Sequence, residues 1–323
     1  MPHTLMLLDS ASMYFRAYFG VPKEFLTADG RPVNAVRGFL DMVAVLVQDH
    51  RPNALVACWD DDWRPAWRVD LMPSYKTHRV AENSAPAEPG AGVAEEEVED
   101  ELAVQVPMIA EILQAFGIAR VGAPGCEADD VIGTLATRAA AQGRRVDIVT
   151  GDRDLFQLVD DEHGVRVLFV AARSGLRNRV SVDQAELTRR YQVASGPAYA
   201  DLATMRGDSS DGIPGVPGIG EKTGAALLAS FGDLPGIQRA AADPASAMTP
   251  AVRRKVLAAA EYLQVAPTVV RVLRDAELPA IDDELPRTPA DPQRLDELGA
   301  AYGVASSIER LRAALAAQAS HDG

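Results

Sequence analysis

RRVDIVTGDRD, residues 144–154, runs apolar through its middle and closes on two acids, Asp152 and Asp154. Two earlier stretches share this design. TLMLLD at 4–9 ends in Asp9, and ALVACWDDD at 54–62 ends in Asp60, Asp61 and Asp62. VRVLFV at 165–170 reads as a further strand. Helical periodicity fills the intervals at 36–47, 106–116 and 131–141. Strands alternating with helices predict an α/β fold with an open, mostly parallel central sheet covered by helices on both faces. Such sheets bind ligands at the carboxyl ends of their strands, where these acids fall.

Beyond about residue 180 the β pattern fades. Alanine- and leucine-rich helical segments follow, broken at the Gly/Pro loop 212–220 and at Pro235, Pro244, Pro267 and Pro279. The expectation is an α/β part over 1–180 and a helical part over 181–323. The stretch 83–101 is rich in Pro, Gly and Ala and then almost wholly acidic, which reads as a solvated linker.

The 323 residues are 47% apolar and carry a net charge of −14. That charge argues against general nucleic-acid affinity, although a local basic strip or bound metal ions reverse the field where they sit. The two cysteines, Cys58 and Cys126, make no disulfide framework and no zinc spacing. The apolar run near the N-terminus is too short for a signal peptide and nothing approaches a membrane span, so the expectation is a cytoplasmic protein.

CEADDVIGTLATRAA at 126–140 places Val131, Ile132, Leu135 and Ala139 on one helix face. Glu127, Asp129 and Asp130 then fall in its first turn, where the helix dipole favours anions. Taken singly, each acid in the chain also reads as a cap, a dipole-compensating residue or a solvated loop acid. Together, acids from three strand ends and one helix start would resist joint ionisation. Divalent cations relieve that conflict, and carboxylates with few histidines suit Mg²⁺ or Mn²⁺. Paired ions roughly 3.5–4 Å apart in such sites activate water for phosphodiester cleavage.

DSSDGIPGVPGIGEKTG at 208–224 sets two of the acids beside a glycine loop and a lysine. Glu221 intrudes between Gly220 and Lys222, so the loop is no phosphate-binding P-loop, and Gly224 falls one position late for a dinucleotide motif. A hairpin between two helices fits better, with the second helix aimed at a phosphate. A plain helix–helix turn is the alternative.

CEADD, TGDRDLFQLV and GDSSDGIPGVPGIGEKTG, in this order, resemble the bacterial 5′→3′ exonuclease/flap endonuclease family, the module that forms the 5′-nuclease part of DNA polymerase I. LLDSASMYFRAYFG, VNAVRGFL at 33–40, WRPAWRVDLMPSYKTHR at 63–79 and residues 302–315 extend the likeness over nearly the whole chain. The resemblance implies a stand-alone member with a PIN-like metal-dependent nuclease core. A helical arch near 74–106 and a C-terminal DNA-binding part with a helix–hairpin–helix near 204–232 go with it. Carried over by position, it assigns metal binding to Asp9, Asp61, Glu127, Asp129, Asp130, Asp152, Asp154, Asp208 and Asp211. Asp61 is taken over its neighbours because the family's aspartate lies seven residues before an arginine, here Arg68. Lys76 and Arg79 become the catalytic cations at the scissile phosphate. Tyr75 either stacks on a terminal base or packs at the arch foot. Arg16, Gly215, Gly218, Gly220, Lys222 and Thr223 join the DNA contacts, and the family's hairpin often holds a K⁺ ion on main-chain carbonyls.

The implied substrates are DNA 5′ flaps, 5′ ends, nicks and overhangs, with RNA–DNA primers as a further class, cut by a monomer in replication and repair. Two or more Mg²⁺ or Mn²⁺ ions are the implied cofactors. The acids at 95–101 either face solvent or weaken threading of a single strand. A non-catalytic DNA-junction binding module is the competing reading and predicts missing acids. A phosphatase with a D-x-D nucleophile is a third, and it leaves the hairpin and the Lys76/Arg79 pair without a role.

Overall fold

The computed structural model describes residues 3–80, 100–171 and 175–319. The arch and the acidic run at 95–101 fall largely on 81–99, outside the described residues. β1 (Thr4–Asp9) feeds α1 (Ser10–Gly20), and α2 (Asn34–His50) returns the chain to β2 (Ala54–Cys58). A short α3 (Ala66–Leu71) follows, and α4 (Asp100–Ala103) and α5 (Gln105–Phe116) lead to β3 (Ala119–Val121). Next come α6 (Ala128–Ala141), β4 (Arg145–Thr150), β5 (Val165–Phe169) and β6 (Val180–Val182).

The sheet order is β3-β2-β1-β4-β5-β6, parallel except for the antiparallel β5–β6 edge. β1 lies opposite β2 with Asp9 level with Cys58, and opposite β4 with Leu8 level with Val149. The chain thus winds away from β1 in both directions. Where the winding reverses, a crevice opens at the carboxyl ends of β1 and β4.

Side-chain alternation builds a core on each face. Leu5, Leu7, Val56, Ile148 and Val167 pack with α6, while Met6, Leu8, Leu55, Val149 and Leu168 pack with α1, α2 and α5. Burial on both sides makes the four longer strands largely apolar, broken inside β4 and β5 only by the paired Asp147 and Arg166, which is why their sequence discloses them. β3 and β6 were not expected. Each has three residues, too few to show a period, and Arg120 interrupts β3.

The remaining helices are α7 (Gln184–Tyr191), α8 (Gly196–Arg206), α9 (Glu221–Phe231), α10 (Leu234–Ala242), α11 (Pro250–Ala258), α12 (Ala260–Val270), α13 (Pro292–Tyr302) and α14 (Ala305–Ala319). They do not form one block. The apolar surface of α8 to α12 is continuous with the α6 face of the sheet, joined by the packed rings of Phe156, Tyr191 and Tyr199. α13 and α14 cross to the other face, where Leu295, Leu298, Ile308, Leu311 and Leu315 share a core with Phe39, Val43 and Ile112. The expected helical part over 181–323 therefore divides, because its last two helices cover the sheet face that α2 and α5 leave incomplete. Among the described residues no helix is long and apolar enough to cross a membrane.

α6 carries the site's acids, and its distance from the helical part is set at Gly133. A β-carbon there would lie 2.4 Å from the Leu273 carbonyl oxygen. Gly133→Ala should therefore lower stability by about 1–3 kcal/mol in chemical denaturation, although alanine is favoured over glycine inside helices by about 1 kcal/mol. Unchanged or raised stability would show that this contact does not fix the helix.

A carboxylate cleft as candidate active site

The crevice at the carboxyl ends of β1 and β4 is a cleft of about 370 Å³. Asp9, Asp60, Glu127, Asp129, Asp152 and Asp208 line it, with Lys76, Arg79, Arg153, Phe15 and Trp63. Each acid is delivered by a backbone feature. Asp9 ends β1 and caps α1, accepting from Ser12 N at 3.0 Å and from Thr150 Oγ1 at 2.6 Å. Asp60 follows β2 and accepts from Ala128 N, the first N–H of α6, at 2.7 Å. Glu127 and Asp129 flank that helix start. Asp152 follows β4, donates its own N–H to Thr150 Oγ1 and accepts from Asp154 N at 2.8 Å.

Asp60 is the residue that sequence reasoning missed, in favour of Asp61. Asp61 is exposed and its carboxyl lies against Gly122, outside the cleft lining. Counting back seven residues from Arg68 reaches Asp61, whereas the path of the chain beyond Cys58 turns Asp60 inward. The signal was the strand end, since Asp60 lies two residues past the Cys58 that pairs with Asp9.

Asp130 is also reassigned. Its carboxylate accepts from Arg68 Nη1 at 2.8 Å, Arg68 Nη2 at 2.7 Å, Leu273 N at 2.8 Å and Glu127 N at 3.2 Å. Four donors saturate a carboxylate, leaving no lone pair for an ion. Asp130 is fully buried and anchors α6 to Arg68 and to the chain at Leu273. Glu127 does line the cleft, but it accepts from Arg68 at 3.0 Å, from Tyr75 Oη at 2.6 Å and from Lys76 Nζ.

Tyr75, read from the sequence as either a stacking platform or a packed ring, is buried with its hydroxyl donating to Glu127, which matches the packed alternative. Arg16, expected at DNA, is half-buried and donates to the Val170 and Ala171 carbonyls. Lys76 is buried, paired with Glu127 and bonded to the Trp63 carbonyl at 3.3 Å. Arg79 is more open and reaches Asp211 Oδ1 at 2.7 Å and Ser210 O at 2.9 Å.

Asp208 and Asp211 bracket a tight turn between α8 and α9. Asp208 accepts from Ser210 N at 2.8 Å and from the Ser210 hydroxyl. This turn is stitched to the segment holding Lys76 and Arg79: Lys76 N donates to Asp211 O at 2.9 Å, and Ser74 Oγ donates to Gly212 O at 2.8 Å. Gly212 has φ +69°, and a β-carbon on it would overlap the Ser74 carbonyl. Gly215 is buried against the Arg206 carbonyl, so it shapes the hairpin from within and presents nothing to a ligand. Gly218, Gly220 and Lys222 are exposed, and Thr223 is half-buried. The Gly218 carbonyl accepts from Lys255 Nζ at 2.8 Å.

The electrostatics follow from burial and crowding. Burial pushes Asp9 up to about 7, with the Asp60 and Asp152 charges adding to it against the Thr150 and Ser12 donors. Burial also raises Asp129 well above the carboxylate range, helped by Asp9, Asp152 and Glu127. Asp154 rises for the same reason, with Asp152, Asp211 and Asp208 as its charged neighbours. Burial raises Asp60, followed by the opposing Ala128 N–H and the Glu127 charge. Burial raises Asp211 against the pull of Lys76 and Arg79. Asp208 goes the other way: burial raises it, but the Ser210 donors and then Arg206 and Arg153 outweigh that. Two groups of acids emerge, one around Asp9 and Asp129 and one around Asp154 and Asp211, and Asp152 is a neighbour of both. Among the described residues no three Asp, Glu, His or Cys side chains converge closely enough to hold an ion as they stand.

Comparison with known proteins bears on this arrangement. Residues 4–192 match the family model "5′-3′ exonuclease, N-terminal resolvase-like domain", and residues 195–293 match "5′-3′ exonuclease, C-terminal SAM fold". The chain is 57% identical over 312 residues to a 5′-3′ exonuclease of Streptomyces coelicolor, covering 97% of this chain and 100% of that protein. It is 53% identical over 317 residues to a 5′-3′ exonuclease of Mycobacterium tuberculosis, covering 96% and 97%. DNA polymerase I of Mycobacterium bovis is 40% identical over 232 residues, 72% of this chain and 23% of the polymerase. Among solved structures, the bacteriophage T5 flap endonuclease crystallised with DNA and metal ions superposes with a TM-score of 0.64 at 17% identity, covering 99% of this chain and 100% of that one. The catalytic core of Rad2 in complex with DNA substrate gives 0.57 at 16%, covering 98% and 93%. At these identities the structural likeness speaks to the fold.

Two outcomes test the site's physics. Arg68→Met leaves Asp130 buried without its cation, while Glu127 keeps Lys76, and should cost about 3–5 kcal/mol in chemical denaturation; a loss under about 1 kcal/mol would contradict the anchoring role. Asp9 has a folded pKa above its ordinary 3.8, so the stabilisation from its protonated form is complete below about pH 4 and is lost as pH rises through about 7. Asp9→Asn should therefore melt above the wild type at pH 8 with chelator present, and this advantage should vanish near pH 4. An advantage that does not change with pH would refute the titration argument.

Proposed function

The chain belongs to the 5′-3′ exonuclease and flap endonuclease family of metal-dependent nucleases, and from this premise we propose that its carboxylate cleft hydrolyses DNA phosphodiesters at 5′ ends, 5′ flaps and nicks. The observation that carries the reading is the pair of acid groups around Asp152 at the point where the sheet reverses its winding. The lining donors are oxygens, with no histidine or cysteine among them. That set fits hard divalent cations such as Mg²⁺ or Mn²⁺. Asp9, Asp60, Asp129 and Asp152 would hold one ion, and Asp152, Asp154, Asp208 and Asp211 a neighbouring one. The looseness of the groups suits ions that keep several waters. When bound, such ions supply charge neutralisation and lower the pKa of water.

The chain's own residues account for substrate placement. Arg79 is the more open cation on the wall facing the acids, and it receives the scissile phosphate and offsets charge that develops there. Lys76 holds Glu127 and keeps that wall from becoming a third acid group. Ser12 Oγ accepts from Gly151 N at 2.8 Å and Thr150 bonds Asp9, so the carboxyl ends of β1 and β4 stay locked together. The exposed hairpin, with Lys222 at the start of α9, grips duplex phosphates away from the cut. Because the 208–212 turn is stitched to residues 74–79, the grip and the cleft keep a fixed separation along the duplex. A junction binder without catalysis would not need this density of raised carboxylates.

The decisive comparison uses labelled 5′-flap DNA with Mg²⁺ or Mn²⁺. Asp60→Ala should lower cleavage by about a hundredfold or more, since lost charge stabilisation of several kcal/mol is at stake. Asp61→Ala should stay within about threefold of wild type, as expected for an exposed residue outside the cleft. The opposite ranking, or cleavage that survives full chelation, would sink the assignment.

A further inference from the structure

Lys255 belongs to α11, far in sequence from the hairpin, yet its ammonium rests on the Gly218 carbonyl at 2.8 Å. Gly218 is exposed with φ +77°, and a β-carbon there would sit 2.8 Å from Lys255 Nζ. The hairpin thus turns a bare carbonyl outward and a neighbouring helix covers it with a cation. An ammonium has three donors, and the Gly218 oxygen uses one. Lys255 is itself exposed. Close by, Gly220 precedes α9 and offers no side-chain cap, and Lys222 follows in the helix's first turn. First-turn N–H groups lack intrahelical partners and favour anions.

We propose that Lys255 is a duplex-phosphate contact in its own right, a tethered cation that completes the hairpin's grip together with Lys222. This rests on the reading that the hairpin holds duplex DNA. The charge logic favours it. A chain of net charge −14 repels a polyanion over most of its surface, so cations gathered at the point of contact dominate affinity.

The test measures binding of duplex-bearing flap DNA by fluorescence anisotropy over a salt series, with chelator present so that no cleavage intervenes. The proteins are wild type, Lys222→Ala, Lys255→Ala, Lys255→Gln and Lys255→Arg, each checked for an unchanged melting profile. Lys255→Ala should weaken binding several-fold and reduce the slope of log affinity against log salt by about 1. Lys255→Arg should restore both. Lys255→Gln keeps a donor for the Gly218 oxygen without the charge, so it should behave like alanine. If glutamine binds as the wild type does, or the slope is unchanged in Lys255→Ala, Lys255 is only a staple and the proposal is wrong. If Lys222→Ala weakens binding and Lys255→Ala does not, this inference fails while the hairpin reading stands. If neither matters, the hairpin reading fails and takes the inference with it.

Discussion

The buried guanidinium of Arg68 is the interaction on which the rest depends. It bonds Glu127 and both oxygens of Asp130 at the start of α6, and its Nε donates to the Val269 carbonyl at the end of α12. One side chain therefore sets the helix that carries Asp129, the wall that carries Glu127, and the seam between the α/β face and the helices packed on it. A buried pair of this kind adds little net stability over an apolar substitute, because desolvation offsets the attraction. What it gives is position, since neither acid can move without leaving a charge unpaired in the interior.

Around this anchor the cleft sorts its acids by partner. Glu127 and Asp130 each accept from several donors, Arg68 among them, and are spent on structure. Asp9, Asp60, Asp129, Asp154 and Asp211 are crowded and desolvated, and burial raises all five above the ordinary aspartate value. Protonation or a charge of opposite sign relieves such a repulsive arrangement. The contrast between spent and strained acids is a better guide to ion binding than the count of acids.

A second coupling links the cleft to the exposed hairpin. The turn bearing Asp208 and Asp211 is bonded through Asp211 and Gly212 to Ser74 and Lys76, and through Arg79 to Ser210 and Asp211. The same chain continues directly into the hairpin. Acids, the cations Lys76 and Arg79 on the cleft wall, and the hairpin are thus parts of one stitched unit.

The sequence by itself determined the α/β class and the four long strands, because burial on both faces forces apolar runs and the acids stand out at their ends. Its motif order determined the family as well, since CEADD, TGDRD and the glycine hairpin are each rare enough to be read in one dimension. It did not disclose β3 and β6, which are too short to show a period, or the return of α13 and α14 to the far face, which depends on apolar surface left open by α2 and α5. Only the tertiary structure decided which of Asp60 and Asp61 faces the cleft, because adjacent side chains point apart and counting from a distant arginine cannot fix the turn between them. It alone decided that Asp130 and Tyr75 are bound up in the interior, and that Lys255 reaches the hairpin. Those outcomes depend on partners that lie between 37 and 143 residues away along the chain, where spacing carries no information about contact.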